Sequence, residues 1–365
     1  MRLSRRDWLT TGAAALLPLP ARATTVSNYP RNRWGTPGLY PARVAAVKHS
    51  GSTVDFRFQQ KPIQEMIRAG MTSLTGARDH VSAWQKFVRR GDVVGIKLNP
   101  NANDGTMSSP EVILEIVSGL MAAGVRREDI VVYERYRQIL DWIAPKLPAW
   151  LQKASASPAY GEEQTAIAGY DPAHYVELPF VCKGRDASDP AQRRSYAAEF
   201  ITRRVNKLIN LAVLKDHNAA GVTLALKNLS HGLVNNVNRS HPGDAHRFTT
   251  FIPAVVAMPV IRYKAVLHIV DGIHGLYESG PHGKEQYNWA HQTMYFATDA
   301  VAIDRVGWRA IDAKRVEMGL PVTAESGPFG QPGPIRQPGY IEAAGQAGLG
   351  EWRDGRIDLR TVILG

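Results

Sequence analysis

Polar side chains follow several of the most apolar stretches of this chain. Lys97 and Asn99 close the stretch that begins at Asp92. The run Lys215-Asp216-His217-Asn218 follows Leu208–Leu214. Asp271 and His274 follow Ala265–Val270, and Asp299 and Asp304 come after Thr293–Ala297. If those stretches are parallel strands, their carboxyl ends are where an open sheet binds ligands, and the polar groups could converge in one crevice. Lys215 and Lys227 flank His217 and Asn228. Two ammonium groups beside one imidazole would bind a carboxylate or phosphate, and their mutual repulsion would lower one lysine pKa toward general-base range. A salt-bridged surface loop would use the same residues for no chemistry.

Histidine offers a second possibility. Eight of the eleven histidines fall between His217 and His291, interspersed with Asp216, Asp244, Asp271 and Glu278. Such a set could hold a transition metal through nitrogen and oxygen, with His241, His246, His274 and His282 as the candidate ligands. The spacings match no local metal motif: H-E-x-x-H is absent, and His241 and His246 are not a helical i, i+4 pair. His268, inside an apolar stretch, reads as a core histidine.

Composition removes other chemistries. The single cysteine, Cys182, excludes a cysteine-ligated iron–sulfur cluster, a structural Cys zinc site and an intramolecular disulfide within one chain. It lies next to the apolar Leu178-Pro179-Phe180-Val181 and reads as a buried structural thiol. There is no G-x-G-x-x-G after a strand, no P-loop and no G-x-S-x-G, so neither NAD nor a nucleoside triphosphate nor a standard serine hydrolase is indicated by motif. Asn101–Gly105 has the composition of a calcium loop without its distal glutamate. The formal net charge of +11 suits an anionic ligand. The basic residues are scattered, without interleaved aromatics, so nucleic acid is not expected as a partner.

The elements that must position these groups are those of an α/β fold: a mainly parallel sheet with helices on both faces, irregular insertions and a Gly/Pro-rich C-terminal tail. Strands are predicted over 43–48, 92–99, 129–134, 208–214, 265–270 and 293–297. Helical periodicity runs through 61–88 with a break near Gly76, and helices are also predicted over 249–260 and 301–318. Ser109-Pro110 opens a further helix that ends by Gly124, since Ser accepts from the first free amides and Pro fits the first helical position. The lead-in 24–40 is expected to be extended, residues 154–189 an irregular insertion, and the tail after Gly319 a surface wrap.

The amino terminus reads as an export address. Ser4-Arg5-Arg6-Asp7-Trp8-Leu9 precedes an apolar run too short to span a bilayer, then Ala21-Arg22-Ala23. The paired arginines give the twin-arginine form, with cleavage expected after Ala23. Residues 24–365 would then be a single domain in the periplasm or outside the cell, with the twin-arginine export machinery as a partner and no stable membrane insertion.

The chain resembles the uncharacterised bacterial and archaeal family DUF362. The residues that carry the resemblance are Val94–Asn99, Ser109-Pro110-Glu111-Val112, Ile209–His217, Ala225-Leu226-Lys227-Asn228-Leu229, Ile269–Gly272, Gly280–Gly283 and Ala297–Asp304. Asn235–Pro242, which contains Arg239, is similar to the branch with twin-arginine signals. Some relatives add cysteine-rich ferredoxin-like segments, which this sequence lacks. The resemblance spans about 92–310, implies the α/β fold, and points to Lys97, Lys215, His217, Lys227, Asn228, Asp271 and Asp304, without supplying a reaction.

Two functions are therefore expected to compete. One is an exported enzyme acting on a small anionic substrate, with Lys215, His217, Lys227 and Asp271 as catalytic groups and Lys97, Asn99, Asn228 and Arg239 as substrate-binding ones; a metal held by the histidines is a variant of it. The other is a non-catalytic periplasmic protein that captures an anion or a metal.

Overall fold

The computed structural model describes residues 23–100, 106–158, 165–241, 245–325 and 338–365, the side chains at 245 and 246 excepted. The twin-arginine segment, the loop at 101–105 and the His246 side chain lie outside these residues. At its centre is a large sheet whose strands, numbered along the chain, are β1 (Arg43–His49), β2 (Val94–Lys97), β3 (Ile130–Tyr133), β4 (Gln152–Ala154), β5 (Lys207–His217), β6 (Gly221–Thr223), β7 (Ala265–Leu276), β8 (Asn288–Ala297) and β9 (Asp358–Leu364). Their order is β9-β1-β8-β7-β5-β2-β3-β4, with the short β6 folded back on β5. Strands β7, β5, β2, β3 and β4 are parallel, whereas β8 pairs antiparallel with both its neighbours. The sheet is mostly parallel, as the apolar runs imply.

Both faces of the sheet are covered. Along β1, Val44 and Ala46 join one apolar cluster and Ala45 and Val47 the other; in β5, Leu208, Ala212 and Leu214 oppose Ile209 and Leu211. Successive strand residues point to opposite faces, so a strand buried on both sides must be apolar throughout. Helices α1 (Gln60–Thr75) and α2 (Pro110–Ala122) supply Ile63, Met66, Ile113 and Ile116 to one layer. Helices α3 (Ala225–Leu233), α4 (Ala245–Val256) and α5 (Ala300–Glu317) supply Leu226, Phe251 and Val301 to the other. The predicted cap is present: Ser109 Oγ accepts from Val112 N at 3.3 Å, with Pro110 at the first helical position. No helix among the described residues is long and apolar enough to cross a membrane.

Two regions differ from the sequence expectation. The C-terminal tail does not only wrap the surface: residues 358–364 pair in parallel with β1 and form one edge of the large sheet. Their exposure alternates, with Ile363 and Leu359 outward, because an edge strand on the flank of the sheet needs no continuous apolar run. The region treated as an insertion contains Tyr170–Glu177, which lies between Thr24–Val26 and Arg194–Ala198 in a small antiparallel sheet. Those strands carry charged and polar residues that conceal the pattern.

Candidate active site

Three adjacent parallel strands end at one cleft. Beyond β2 lie Leu98 and Asn99, beyond β3 lie Glu134, Arg135 and Tyr136, and β5 itself ends in Lys215, Asp216 and His217. After β5 the chain reverses through β6, in register Lys215 to Thr223, and enters α3. That helix presents Lys227, Asn228, His231 and Gly232 on one side, since residues three and four apart share a helix face. Val237, Asn238, His241 and Pro281 complete the lining of a cleft of about 100 Å³.

Two supports set this geometry. Asp304, on α5, accepts from Ala225 N at 2.7 Å and Leu226 N at 3.0 Å and so caps the first turn of α3. Its role is structural, in contrast to the site role implied by the resemblance. At the other wall, Asp216 Oδ1 accepts from Gly280 N at 2.7 Å, and a Cβ at position 280 would lie 2.0 Å from the Asp216 carbonyl oxygen. Only glycine allows that approach, which brings the Gly280–Gly283 turn against the end of β5.

Among the described residues the cleft lining gathers four cationic side chains, Lys97, Arg135, Lys215 and Lys227, against one carboxylate, Glu134. Their surroundings are unequal. The Lys97 ammonium donates to Glu134 Oε2 at 2.7 Å, to Asn228 Oδ1 at 3.1 Å and to the Leu98 carbonyl, so its three donors are used. The helix passes directly over it at Gly232, where a Cβ would lie 1.9 Å from Lys97 Cε. Asn228 in turn donates to Asn210 Oδ1 at 2.8 Å and to the Leu211 carbonyl at 3.2 Å, and Asn210 donates to Ala225 O at 3.0 Å and His268 Nδ1 at 3.2 Å. Lys97 and Asn228 are thus committed to the wall of the cleft.

Lys215 donates to Asn99 Oδ1 at 2.8 Å, and Asn99 N is held by Ser108 Oγ at 2.7 Å. The Lys227 ammonium has no hydrogen-bond or carboxylate partner among the described residues and lies 6.0 Å from the centre of the Phe248 ring. Burial pushes the Lys227 pKa down to about 7, and burial together with the neighbouring Lys227 charge does the same to Lys215. The expected lysine–lysine repulsion is present, and desolvation exceeds it.

Hydrogen-bond partners fix the tautomers of three clustered imidazoles. His217 Nδ1 accepts from Ala219 N and Ala220 N, both at 3.1 Å, so its proton is on Nε2. A proton on Nδ1 would face two amide donors; the neutral ring of His217, expected to be a catalytic group, therefore offers an N–H and not a lone pair at Nε2. Ser240 Oγ donates to Val237 O at 2.7 Å and must accept from His231 Nε2 at 3.0 Å, leaving His231 Nδ1 to Ser230 Oγ at 2.9 Å. His241 Nδ1 donates to Val237 O at 3.3 Å. Burial, then the charge of Lys227, holds the His231 pKa well below the usual histidine range and takes that of His241 to about 3.

The remaining sequence candidates are placed elsewhere. Arg239 is fully buried and outside the cleft. It donates to Ser195 Oγ at 2.9 Å and to the carbonyls of Val176, Leu178 and Phe180 at 3.3 to 3.5 Å. It stitches the small sheet to the body of the fold, so its donors are taken up by the protein, a correction to the substrate-binding role expected of it. Asp271 lies outside the cleft lining, within 3.4 Å of Ser109 Oγ and accepting from Ile273 N at 3.2 Å, with its pKa raised to about 7 by burial. Of the four proposed metal ligands, the His246 side chain lies outside the described residues, and His274 stands apart from His241. His274 Nε2 is 2.7 Å from Thr53 Oγ1, with its ring 4.4 Å from that of Phe58, whereas His241 lines the cleft. His282 is near enough to Lys215 and Lys227 for their charges to add to burial in lowering its pKa. Among the described residues no group of three or more His, Cys, Asp or Glu side chains is placed to hold a metal ion.

Glu134, Arg135, Tyr136 and His231 were missed. The first three follow a strand just as Lys97 does, and His231 is one helical turn from Lys227, so the same positional rules would have found them.

The crystal structure of a Thermotoga maritima protein, a structural-genomics target, is similar at 11% identity with a TM-score of 0.34. The match covers 58% of this chain and 50% of that one, so the chain spans about half the length of that protein. No curated protein matches. The family model of DUF362, a domain of unknown function, matches residues 94–309, a span that includes all four cleft cations, and the chain belongs to the DUF362 family.

Proposed function

We propose that this protein is an exported enzyme that holds a small carboxylate- or phosphate-bearing substrate in the cleft and moves a proton through Lys227. The observation that carries this reading is the buried Lys227 ammonium, which has no acceptor or counter-charge among the described residues while the rest of the lining is already cationic. A buried charge without a partner costs several kcal/mol, so a fold that retains one is built for a ligand that supplies the missing charge. Lys215, aimed by Asn99, and the His217 Nε2–H add donors to the same anion. A lysine with a pKa near 7 holds its proton when an anion is bound and releases it readily when the anion leaves, which is what an acid–base group needs near neutral pH.

Calorimetry with inorganic phosphate, oxalate and malonate tests the binding step. At least one should bind, with proton uptake detected by comparing two buffers, and Lys227→Met should lose 30-fold or more in affinity. Failure of the whole series to bind, or undiminished binding by Lys227→Met, would remove the proposal. Incubation of bound carboxylates in deuterium oxide tests the proton step, since Lys227-dependent exchange or conversion by NMR marks an enzyme, and binding without either marks a capture protein. Export is tested by Arg5→Lys with Arg6→Lys, which should retain the protein in the cytoplasm if the twin-arginine reading is right.

A further inference from the structure

Among the described residues the cleft is lined by several donors, and His241 brings to it a ring acceptor. Lys215, Lys227 and the His217 Nε2–H all donate. His231 Nε2–H is spent on Ser240, and its Nδ1 lone pair accepts from Ser230. Glu134 is engaged by Lys97. His241 is different: a carbonyl can only accept, so its 3.3 Å contact with Val237 O puts the proton on Nδ1 and leaves a lone pair on Nε2, at the opposite edge of the ring. Among the described residues Nε2 has no partner, and the residue lines the cleft. The ring is held by His231 at 5.3 Å, by His217 at 5.9 Å and by Phe248 at 5.0 Å between centroids.

We propose that His241 is the specificity-determining acceptor of this cleft, and that it selects anions which also carry a hydroxyl group within a few bonds of the charged one. The inference rests on the anion-binding reading above. An anion fills the lysine donors but offers nothing to a lone pair, and an anion oxygen placed against Nε2 would be repelled. A hydroxyl both satisfies Nε2 and presents its own oxygen to the surrounding N–H donors. A site with a buried acceptor rejects the analogue that cannot donate to it, because the acceptor is then desolvated without compensation. The His241 lone pair stays available because burial and the Lys227 charge keep the ring neutral at physiological pH.

The test uses pairs that differ by one hydroxyl: glycolate against acetate, and glycerol 3-phosphate against propyl phosphate, the two pairs separating a carboxylate ligand from a phosphate one. In at least one pair the hydroxylated member should bind 10- to 100-fold more tightly to the native protein. His241→Phe should remove the preference while retaining the affinity for the simple anion, and His241→Gln, whose amide oxygen can accept, should restore part of it. Lys227→Met should weaken both members of a pair alike. Equal binding within both pairs would overturn the role of His241 and leave anion binding intact, whereas no binding by any member would overturn both. A preference that survives His241→Phe, with the fold intact by circular dichroism, would place the acceptor elsewhere and end this inference.

Discussion

Lys264 and Lys227 are both buried lysines, in two regions of the same molecule, and they are treated in opposite ways. Beneath the sheet, the Lys264 ammonium donates to the carbonyls of Ile201, Thr202 and Val205 at 2.5 to 3.2 Å. In the cleft, Lys227 meets an aromatic face and other cations. Arg239 sides with Lys264, its guanidinium spread over Ser195 and three carbonyls. A buried cation whose donors are matched by the fold is architecture. One whose donors are not matched, as at Lys227, is what the proposed function reads as a site, since the fold itself gains nothing from it.

Removing matched cations should therefore cost stability and removing the unmatched one should not. The largest effect is expected for Lys97→Met, which leaves Glu134 buried without its partner and should cost about 3–5 kcal/mol in urea unfolding. Next comes Asp304→Ala, which frees the two amides at the start of α3; it should cost about 1–2 kcal/mol and weaken anion binding by displacing Lys227. Lys227→Met should leave stability unchanged or raise it by about 1 kcal/mol, since it relieves desolvation without breaking a bond. A loss as large as that of Lys97→Met would break the comparison.

The last effect is a slope with pH. Lys215 and Lys227 lose their protons near pH 7 in the folded chain and near 10.5 when free in water. Between those values the unfolded state holds more protons, so these groups make stability rise with pH across that window. Anion affinity should fall over the same range, by up to tenfold per pH unit for each lysine that must be protonated. In Lys227→Met both slopes should shrink, which repeating the titrations would show.

The parallel strands β2, β3, β5 and β7 were legible in the sequence because each is buried on both faces, and those that form the cleft stop at charged residues, Lys97 after Ile96 and Lys215 after Leu214, whereas the short, half-buried β4 was not. Arg239 and Asp304 were misread because sequence reveals what a side chain can donate or accept, and the fold decides whether those capacities are already satisfied. The tautomer of His217 is of the same kind, being set by two amides that a turn brings around its ring. β9 escaped notice because an edge strand with alternating exposure resembles a polar tail. Asn235–Arg239 combines both difficulties, as Asn235 and Arg239 are consumed by the small sheet while Asn238 reaches the cleft.

The four cleft cations arrive from separate stretches of chain, after β2, after β3, at the end of β5 and in α3. In the denatured ensemble they are spread along a flexible polymer and screened from each other; folding compresses them into one small volume. On the proposed function, their mutual repulsion would be relieved by a bound anion, and occupancy would raise the free energy of unfolding by RT ln(1 + [L]/Kd). Ligand discovery and thermal stability become one experiment: the compound that most raises the melting temperature of the native protein, and fails to do so for Lys227→Met, is the one this site was shaped to hold.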